Sequence, residues 1–139
     1  MISAVDSSVI LDVVTDDPEH AATSERLLQE SAAQGQLVVC ECVVAEIFPA
    51  FESPSAFDEF LGDWQLEFVP SSQQSAATAG QHFATYLGRG GRQGRIVADF
   101  LIGAHAAVHA DRLLARDRGF LRDYFSGLGV IDPGAGPDR

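Results

Sequence analysis

The stretch from Ile96 to Ala110 is an apolar run of helical length that carries one formal charge, the carboxylate of Asp99. At about 100° per residue, Gly103, Ala106 and Ala110 fall within roughly 40° of Asp99, so small residues share the face of the acid. Larger apolar residues occupy the rest of the circumference, which is typical of a helix packed on several sides. We therefore expect a central helix whose small face lets another backbone approach closely. The plain alternative for Asp99 is a solvated acid favoured by the helix dipole.

Strand-like and helix-like segments alternate along the chain. This alternation predicts an α/β fold, a three-layer α/β/α sandwich with a mainly parallel sheet of roughly five strands and right-handed crossovers. One domain over residues 1–132 accounts for the pattern, and the Pro- and Gly-rich residues 133–139 are expected to form a flexible tail. The predicted strands are 2–5, 37–40, 66–69, 112–115 and 129–131, and the predicted helices include 21–33, 72–87, 96–110 and 118–124. Pro49 lies in the segment after the second strand and predicts either a kink or a late helix start.

The basic residues are unevenly distributed. The net charge of −11 argues against general binding to a nucleic-acid backbone. However, all nine basic residues are Arg, and seven of them lie between Arg89 and Arg122. These arginines either form a local positive patch or are balanced by neighbouring acids. The absence of lysine excludes Schiff-base chemistry, a nucleotide-binding P-loop and receiver domains that need a lysine.

Cysteine and histidine give no sign of a zinc site. Cys40 and Cys42 are two residues apart, so on a strand they would point to opposite faces as reduced thiols. His105 and His109 have helical spacing but lack the general-base Glu of a metalloprotease, so we expect structural roles. We expect a cytoplasmic protein without a membrane segment, because no apolar run is long enough to span a bilayer and the start is not signal-like.

Acidic residues occur where a parallel sheet would bring them together. Asp6 and Asp117 follow the first and fourth predicted strands, Glu46 follows the second, and Asp99 lies early in its helix. Ligands of such sheets bind beyond the carboxyl ends of the strands. Converging carboxylates need protons or a cation to offset their repulsion, and their oxygens suit Mg²⁺ or Mn²⁺ and phosphoryl chemistry. Ser8 either caps the first helix or hydrogen-bonds a metal-bound water.

Four short motifs together resemble the PIN-domain ribonucleases, and especially the VapC-like toxins of type II toxin–antitoxin pairs. They are Val5–Ile10, Val44–Ile47, Asp99–His105 and Leu114–Phe120, and the resemblance covers nearly the whole chain. It implies a PIN-like fold and a Mg²⁺- or Mn²⁺-dependent endoribonuclease that hydrolyses RNA phosphodiester bonds. The catalytic and metal-binding residues would be Asp6, Glu46, Asp99 and Asp117. The chain departs from the family at Ala115, where members often carry Thr or Ser, which puts a hydroxyl contact near the metal in question.

The resemblance also implies partners. One is a second copy of the chain in a homodimer, and the other is a small antitoxin whose C-terminal segment lies in a hydrophobic groove. This groove is predicted near Phe48, Phe51, Phe57, Phe60 and Trp64. The same aromatic residues could instead belong to the core, since most of them recur at helical spacing. RNA contacts are predicted at Arg89, Arg92, Arg95 and Arg116. The alternative function is a catalytically silent PIN-like binding module, which a Mn²⁺ titration would distinguish from a nuclease.

Overall fold

The computed structural model describes residues 1–92, 96–116 and 121–134. The strands are β1 (Ile2–Val5), β2 (Gln36–Val39), β3 (Leu66–Phe68), β4 (Arg112–Leu114) and β5 (Gly129–Ile131). The helices are α1 (Ser7–Val14), α2 (Ala21–Gln34), α3 (Glu41–Ile47), α4 (Pro54–Asp63), α5 (Gln73–Gly88), α6 (Ile96–His109) and α7 (Leu121–Tyr124). Residues 135–139, most of the predicted tail, lie outside the described residues. None of the described helices has the length and apolar character needed to cross a bilayer.

The five strands form one parallel sheet in the order β3-β2-β1-β4-β5. This arrangement confirms the predicted α/β fold with helices flanking a parallel sheet. From β1 the chain moves outward to β2 and β3, and α5 and α6 then carry it back to β4 on the opposite side of β1. The direction of strand addition therefore reverses between β1 and β4. In open α/β sheets the crevice at the carboxyl ends of strands beside such a reversal is the preferred ligand site.

The helix after β2 ends ahead of Pro49. A 3₁₀ turn follows α3 over Phe48–Ala50, and Pro49 lies in the first turn of this new helix. Proline has no N–H to donate and its ring clashes with the preceding helical turn, so it is tolerated where a helix begins but not inside one. The predicted late start is wrong, because α3 begins at Glu41 and its α-helical part ends at Ile47, before the proline.

The small face of α6 receives an aromatic ring. A Cβ added at Gly103 would lie 2.7 Å from Cε2 of Phe125. The expected close approach is therefore made by a side chain, not by a backbone. Phe100, Ile102 and Ala106 of the same helix are buried, and α6 packs against α5, α3, β1 and β4. This packing agrees with a central helix covered on several sides.

Candidate metal-binding active site

Asp6 joins the end of β1 to the start of α1, and its side chain is fully buried. Its backbone N–H donates to the carbonyl oxygen of Leu114 at 2.9 Å, which ties the end of β1 to the end of β4. Asp6 is also the N-cap of α1, because its Oδ2 accepts the backbone N–H of Ser8 at 3.1 Å. Of the two alternatives for Ser8, the helix cap is wrong, since Ser8 lies inside α1. The carboxylate thus lies where the strand order reverses.

Ser8 connects Asp6 to the segment after β4. Its hydroxyl donates to Asp6 Oδ2 at 2.5 Å and accepts the backbone N–H of Arg116 at 3.0 Å. Both hydrogen bonds together fix the rotamer of Ser8. The hydroxyl therefore orients an acidic side chain and does not cap the helix.

Glu46 lies beside the start of α1. Its Oε1 accepts a hydrogen bond from the hydroxyl of Ser7 at 3.2 Å, although the residue as a whole is exposed. Because Ser7 directly follows Asp6, this contact brings α3 and its acid next to the end of β1. The carboxylate faces solvent and is accessible to a ligand.

Asp99 lies in the first turn of α6 and is half-buried. Its helix packs against both β1, which ends at Asp6, and α3, which carries Glu46. Three predicted acids are thereby placed on elements that contact one another. Asp117, the fourth predicted acid, lies outside the described residues.

The donor set of these acids fits a hard divalent cation. Carboxylate oxygens are the preferred ligands of Mg²⁺ and Mn²⁺. Within the described parts of the chain, Asp6, Glu46 and Asp99 do not form a group whose ligand atoms all lie within 4.8 Å of one another. The three carboxylates are therefore not gathered into one tight ligand cluster, although Mg²⁺ in proteins is commonly held by only one or two carboxylates, with waters in its remaining positions.

Arg116 forms an ion pair with an acid that the sequence analysis did not single out. Its Nη2 lies 2.7 Å from Asp12 Oδ1, and its Nε donates to Asp12 Oδ2 at 3.0 Å. Asp12 is only 2% exposed and also accepts the hydroxyl of Ser24 at 2.6 Å. Burial alone would raise the pKa of Asp12, but the hydrogen bonds from Arg116 and Ser24 outweigh it and lower that pKa. The only sequence signal was the i, i+4 spacing of Ser8 and Asp12 in an apolar helix.

Two other predicted RNA-binding arginines, Arg89 and Arg92, lie just beyond the end of α5. Arg89 is exposed, and its guanidinium carbon lies 5.2 Å from the centre of the Tyr124 ring. Arg92 is exposed too, and its backbone N–H donates to the hydroxyl of Tyr86 at 3.3 Å. Their charged groups are accessible to a polyanion. Arg95 lies outside the described residues.

Cys40 and Cys42 lie close together, which corrects the expectation that they face opposite sides of a strand. β2 ends at Val39, so Cys40 is the N-cap of α3 and Cys42 lies in its first turn. Ligand atoms of Cys40, Glu41 and Cys42 all lie within 4.8 Å of one another. The Glu41 carboxylate already accepts the backbone N–H and hydroxyl of Ser71. Burial raises the pKa of the Cys40 thiol to about 12, which favours the protonated, unreactive form.

His105 has a structural role, as expected. It is buried, and its Nε2 lies 2.7 Å from the carbonyl oxygen of Val69. Burial lowers the pKa of the imidazole, so the neutral ring is favoured. This contact joins α6 to the end of β3.

An aromatic cluster made of Phe48, Phe51, Phe57, Phe60 and Trp64 covers the region around α4. Successive ring centres lie 5.1 Å apart for Phe48 and Phe57, 5.3 Å for Phe51 and Phe60, and 6.5 Å for Phe60 and Trp64. Phe57 is buried and belongs to the core, whereas Phe48 is 42% exposed. The exposed acids next to these rings are Glu52, Asp58, Glu59 and Asp63. The cluster therefore combines core packing with an accessible apolar surface in acidic surroundings.

Comparison with known proteins gives one family. A family model described as PIN domain matches residues 4–125. No curated protein is similar enough in sequence to count as a relative.

Solved structures share the fold at low sequence identity. VapBC2 from Rickettsia felis, bound to a DNA fragment from its promoter, has a TM-score of 0.72 and 21% identity over 95% of this chain and 98% of that chain. VapBC-1 from nontypeable Haemophilus influenzae has a TM-score of 0.68 and 19% identity, with 97% and 100% covered. FitAcB from Neisseria gonorrhoeae has a TM-score of 0.64 and 18% identity, with 96% and 98% covered.

Proposed function

Because the chain belongs to the PIN domain family, we propose that it is a metal-dependent endoribonuclease that acts as the toxin of a toxin–antitoxin pair. Its substrate is RNA, and its cation is Mg²⁺ or Mn²⁺. The observation that carries this proposal is the placement of Asp6, a buried carboxylate at the point where the strand order reverses. Glu46 lies beside it through Ser7, and Asp99 lies on a helix that packs against the strand ending at Asp6.

The proposed chemistry needs no protein nucleophile. A bound divalent cation lowers the pKa of a water nucleophile and neutralises charge on the scissile phosphate. Asp6 and Asp99 would hold such a cation, with Glu46 and Asp117 completing the acidic set. Ser8 holds one oxygen of Asp6 through its N–H and its hydroxyl, which keeps that carboxylate in one orientation. Exposed Arg89 and Arg92 contact phosphates of the RNA, which compensates locally for the acidic net charge.

Asp6→Asn tests the function, because it removes a ligand charge and keeps the volume of the side chain. Asn is as good an N-cap as Asp, so α1 and the fold should persist. We expect RNA cleavage to fall below detection and Mn²⁺ binding, measured by calorimetry, to weaken strongly. Asp58→Asn, a change at an exposed acid of α4, should leave both unchanged.

Three outcomes would contradict the proposal. If the Asp6→Asn variant cleaved RNA at the wild-type rate in a nuclease-free preparation, Asp6 would not be an active-site residue. Full wild-type activity in the presence of a chelator would exclude the metal dependence. A wild-type protein that binds no Mn²⁺ and cleaves no RNA would be a PIN-like binding module.

We also propose a small antitoxin as partner, together with a second copy of this chain. The three similar structures described above are named as VapBC or FitAcB, which agrees with this assignment. The accessible part of the aromatic cluster suits an apolar segment of the antitoxin, and its acidic surroundings suit basic residues on that segment.

A further inference from the structure

One face of α1 holds residue 116 at two points. Ser8 and Asp12 are four residues apart, so they lie one above the other on the same side of the helix. Ser8 Oγ accepts the backbone N–H of Arg116 at 3.0 Å, and Asp12 accepts its guanidinium in the bidentate geometry described above. Ser24 of α2 donates to Asp12 at 2.6 Å, which fixes the acid from the other side. The chain after β4 is therefore attached to α1 by both its backbone and its side chain.

The attachment of residue 116 is connected by hydrogen bonds to Asp6 in the candidate site. The Ser8 hydroxyl that accepts the Arg116 N–H donates its own proton to Asp6 Oδ2. A shift of residue 116 would remove a hydrogen bond that fixes the rotamer of Ser8 and would loosen the carboxylate of Asp6. The residue that follows Arg116 in the sequence is the fourth predicted acid, Asp117. Asp6 is thus connected to this anchor through Ser8.

We propose that Asp12 and Arg116 are positioning residues that preorganise the acidic site for its divalent cation, with Arg116 acting through Ser8 and Asp6. This inference rests on the proposed function, since it takes the acidic site to be the metal site. It gives Arg116 a role different from the RNA contact expected from the sequence. It also gives a reason for a carboxylate as buried as Asp12 on the inner face of α1. Changing hydrogen-bond partners behind metal ligands typically costs about 10- to 100-fold in metal affinity.

The test compares Arg116→Lys with Arg112→Lys. Lysine keeps the charge but cannot reproduce a planar bidentate fork. Arg112 is the matched control, because it lies at the opposite end of β4 and also donates to side chains, those of Ser3, Ser31 and Gln34. The measurements are Mn²⁺ affinity by calorimetry and thermal unfolding of the metal-free protein. We expect Arg116→Lys to weaken Mn²⁺ binding by about tenfold or more, and Arg112→Lys to leave it unchanged even where it lowers Tm equally.

A double-mutant cycle supplies a second measurement. Asp12→Asn and Arg116→Gln should each weaken Mn²⁺ binding, and the double variant should be no worse than the weaker-binding single variant, because both changes remove one anchor. Wild-type affinity in Arg116→Lys would overturn the proposal, as would equal losses in Arg116→Lys and Arg112→Lys. Fully additive losses in the cycle would overturn it too. These failures differ from failure of the proposed function, in which the wild-type protein itself would not bind Mn²⁺.

Discussion

Burial and hydrogen bonding act in opposite directions on the pKa of Asp12. Hydrogen bonds from Arg116 and Ser24 outweigh the effect of burial, so the folded pKa lies below the ordinary value. An Asp in an unfolded chain has a pKa of about 3.9. The ionised carboxylate therefore stabilises the fold fully above that pH, and this stabilisation is lost as the pH falls through the folded pKa.

Asp12→Asn should reduce the acid sensitivity of the fold. The variant should unfold at a lower temperature at pH 7, with a loss of about 1–3 kcal/mol, because the Arg116 guanidinium loses its charged partner. Its Tm should then fall less steeply than that of the wild type as the pH falls below about 4, because no carboxylate remains to be protonated. Thermal melts followed by circular dichroism across this range measure both effects. Parallel Tm profiles for the two proteins would contradict the assignment.

The spacing of apolar residues predicted most helices, and short apolar runs predicted the strands. The ends of these elements depended on hydrogen bonds that the pattern does not show. Cys40 reads as the last residue of a strand, yet its carbonyl accepts the N–H of Val44 and so begins α3. Asp6 caps α1 because its carboxylate accepts the N–H of Ser8, whereas the local sequence suggested Ser8 as the cap. Neither hydrogen bond can be read from side-chain type alone.

Gly103→Ala should destabilise the contact between α6 and the segment after α7. The added methyl group would meet the ring of Phe125, which is only 5% exposed and cannot move away freely. We expect a loss of about 1–3 kcal/mol in denaturant unfolding, as for an overpacked core. Gly80→Ala in α5 is the control, since nothing lies within 4 Å of its added Cβ. That variant should gain about 0.4–1 kcal/mol through a less flexible unfolded chain.

Replacing Phe125 in the Gly103→Ala background separates a local clash from a general helix effect. Phe125→Leu removes the ring atoms that the new methyl group meets, so the double variant should lose less stability than the sum of the two single changes. Additive losses would show that the small face of α6 has no specific partner at Phe125.

At the scale of the whole molecule, the sequence was sufficient to propose an acidic edge of the sheet. Carboxylates that directly follow parallel strands must lie at the same edge of the sheet. Asp6 could therefore be assigned to that edge from its position after the first strand. The role of Arg116 could not be predicted, because its partner Asp12 lies in a distant helix and one unaligned chain does not reveal such pairs. The aromatic cluster was ambiguous for a related reason, since Phe57 and Phe48 have the same chemistry but only one is buried.

Phe48→Ser should weaken binding of the proposed antitoxin by about tenfold or more, as expected when an exposed aromatic anchor is removed. RNA cleavage by the free protein should be unchanged, because the residue lies outside the acidic site. Phe68→Ser on the edge strand β3 is the matched control, since Phe68 is 50% exposed and is not part of the aromatic cluster. Binding can be measured as inhibition of cleavage by the protein that co-purifies with the chain. Equal inhibition of both variants would show that the antitoxin does not bind at Phe48.

β1 is synthesised first and β4 near the end, yet the two strands are neighbours in the sheet. Asp6 and Ser8 make their hydrogen bonds to Leu114 and Arg116 only after both of these residues have left the ribosome. At about 5–20 residues per second, that interval is on the order of 5–20 s. The hydrogen bonds around Asp6 are therefore incomplete in a growing polypeptide until the end of β4 has been synthesised. For the toxin proposed here, any cleavage of RNA therefore starts only after that segment has been synthesised.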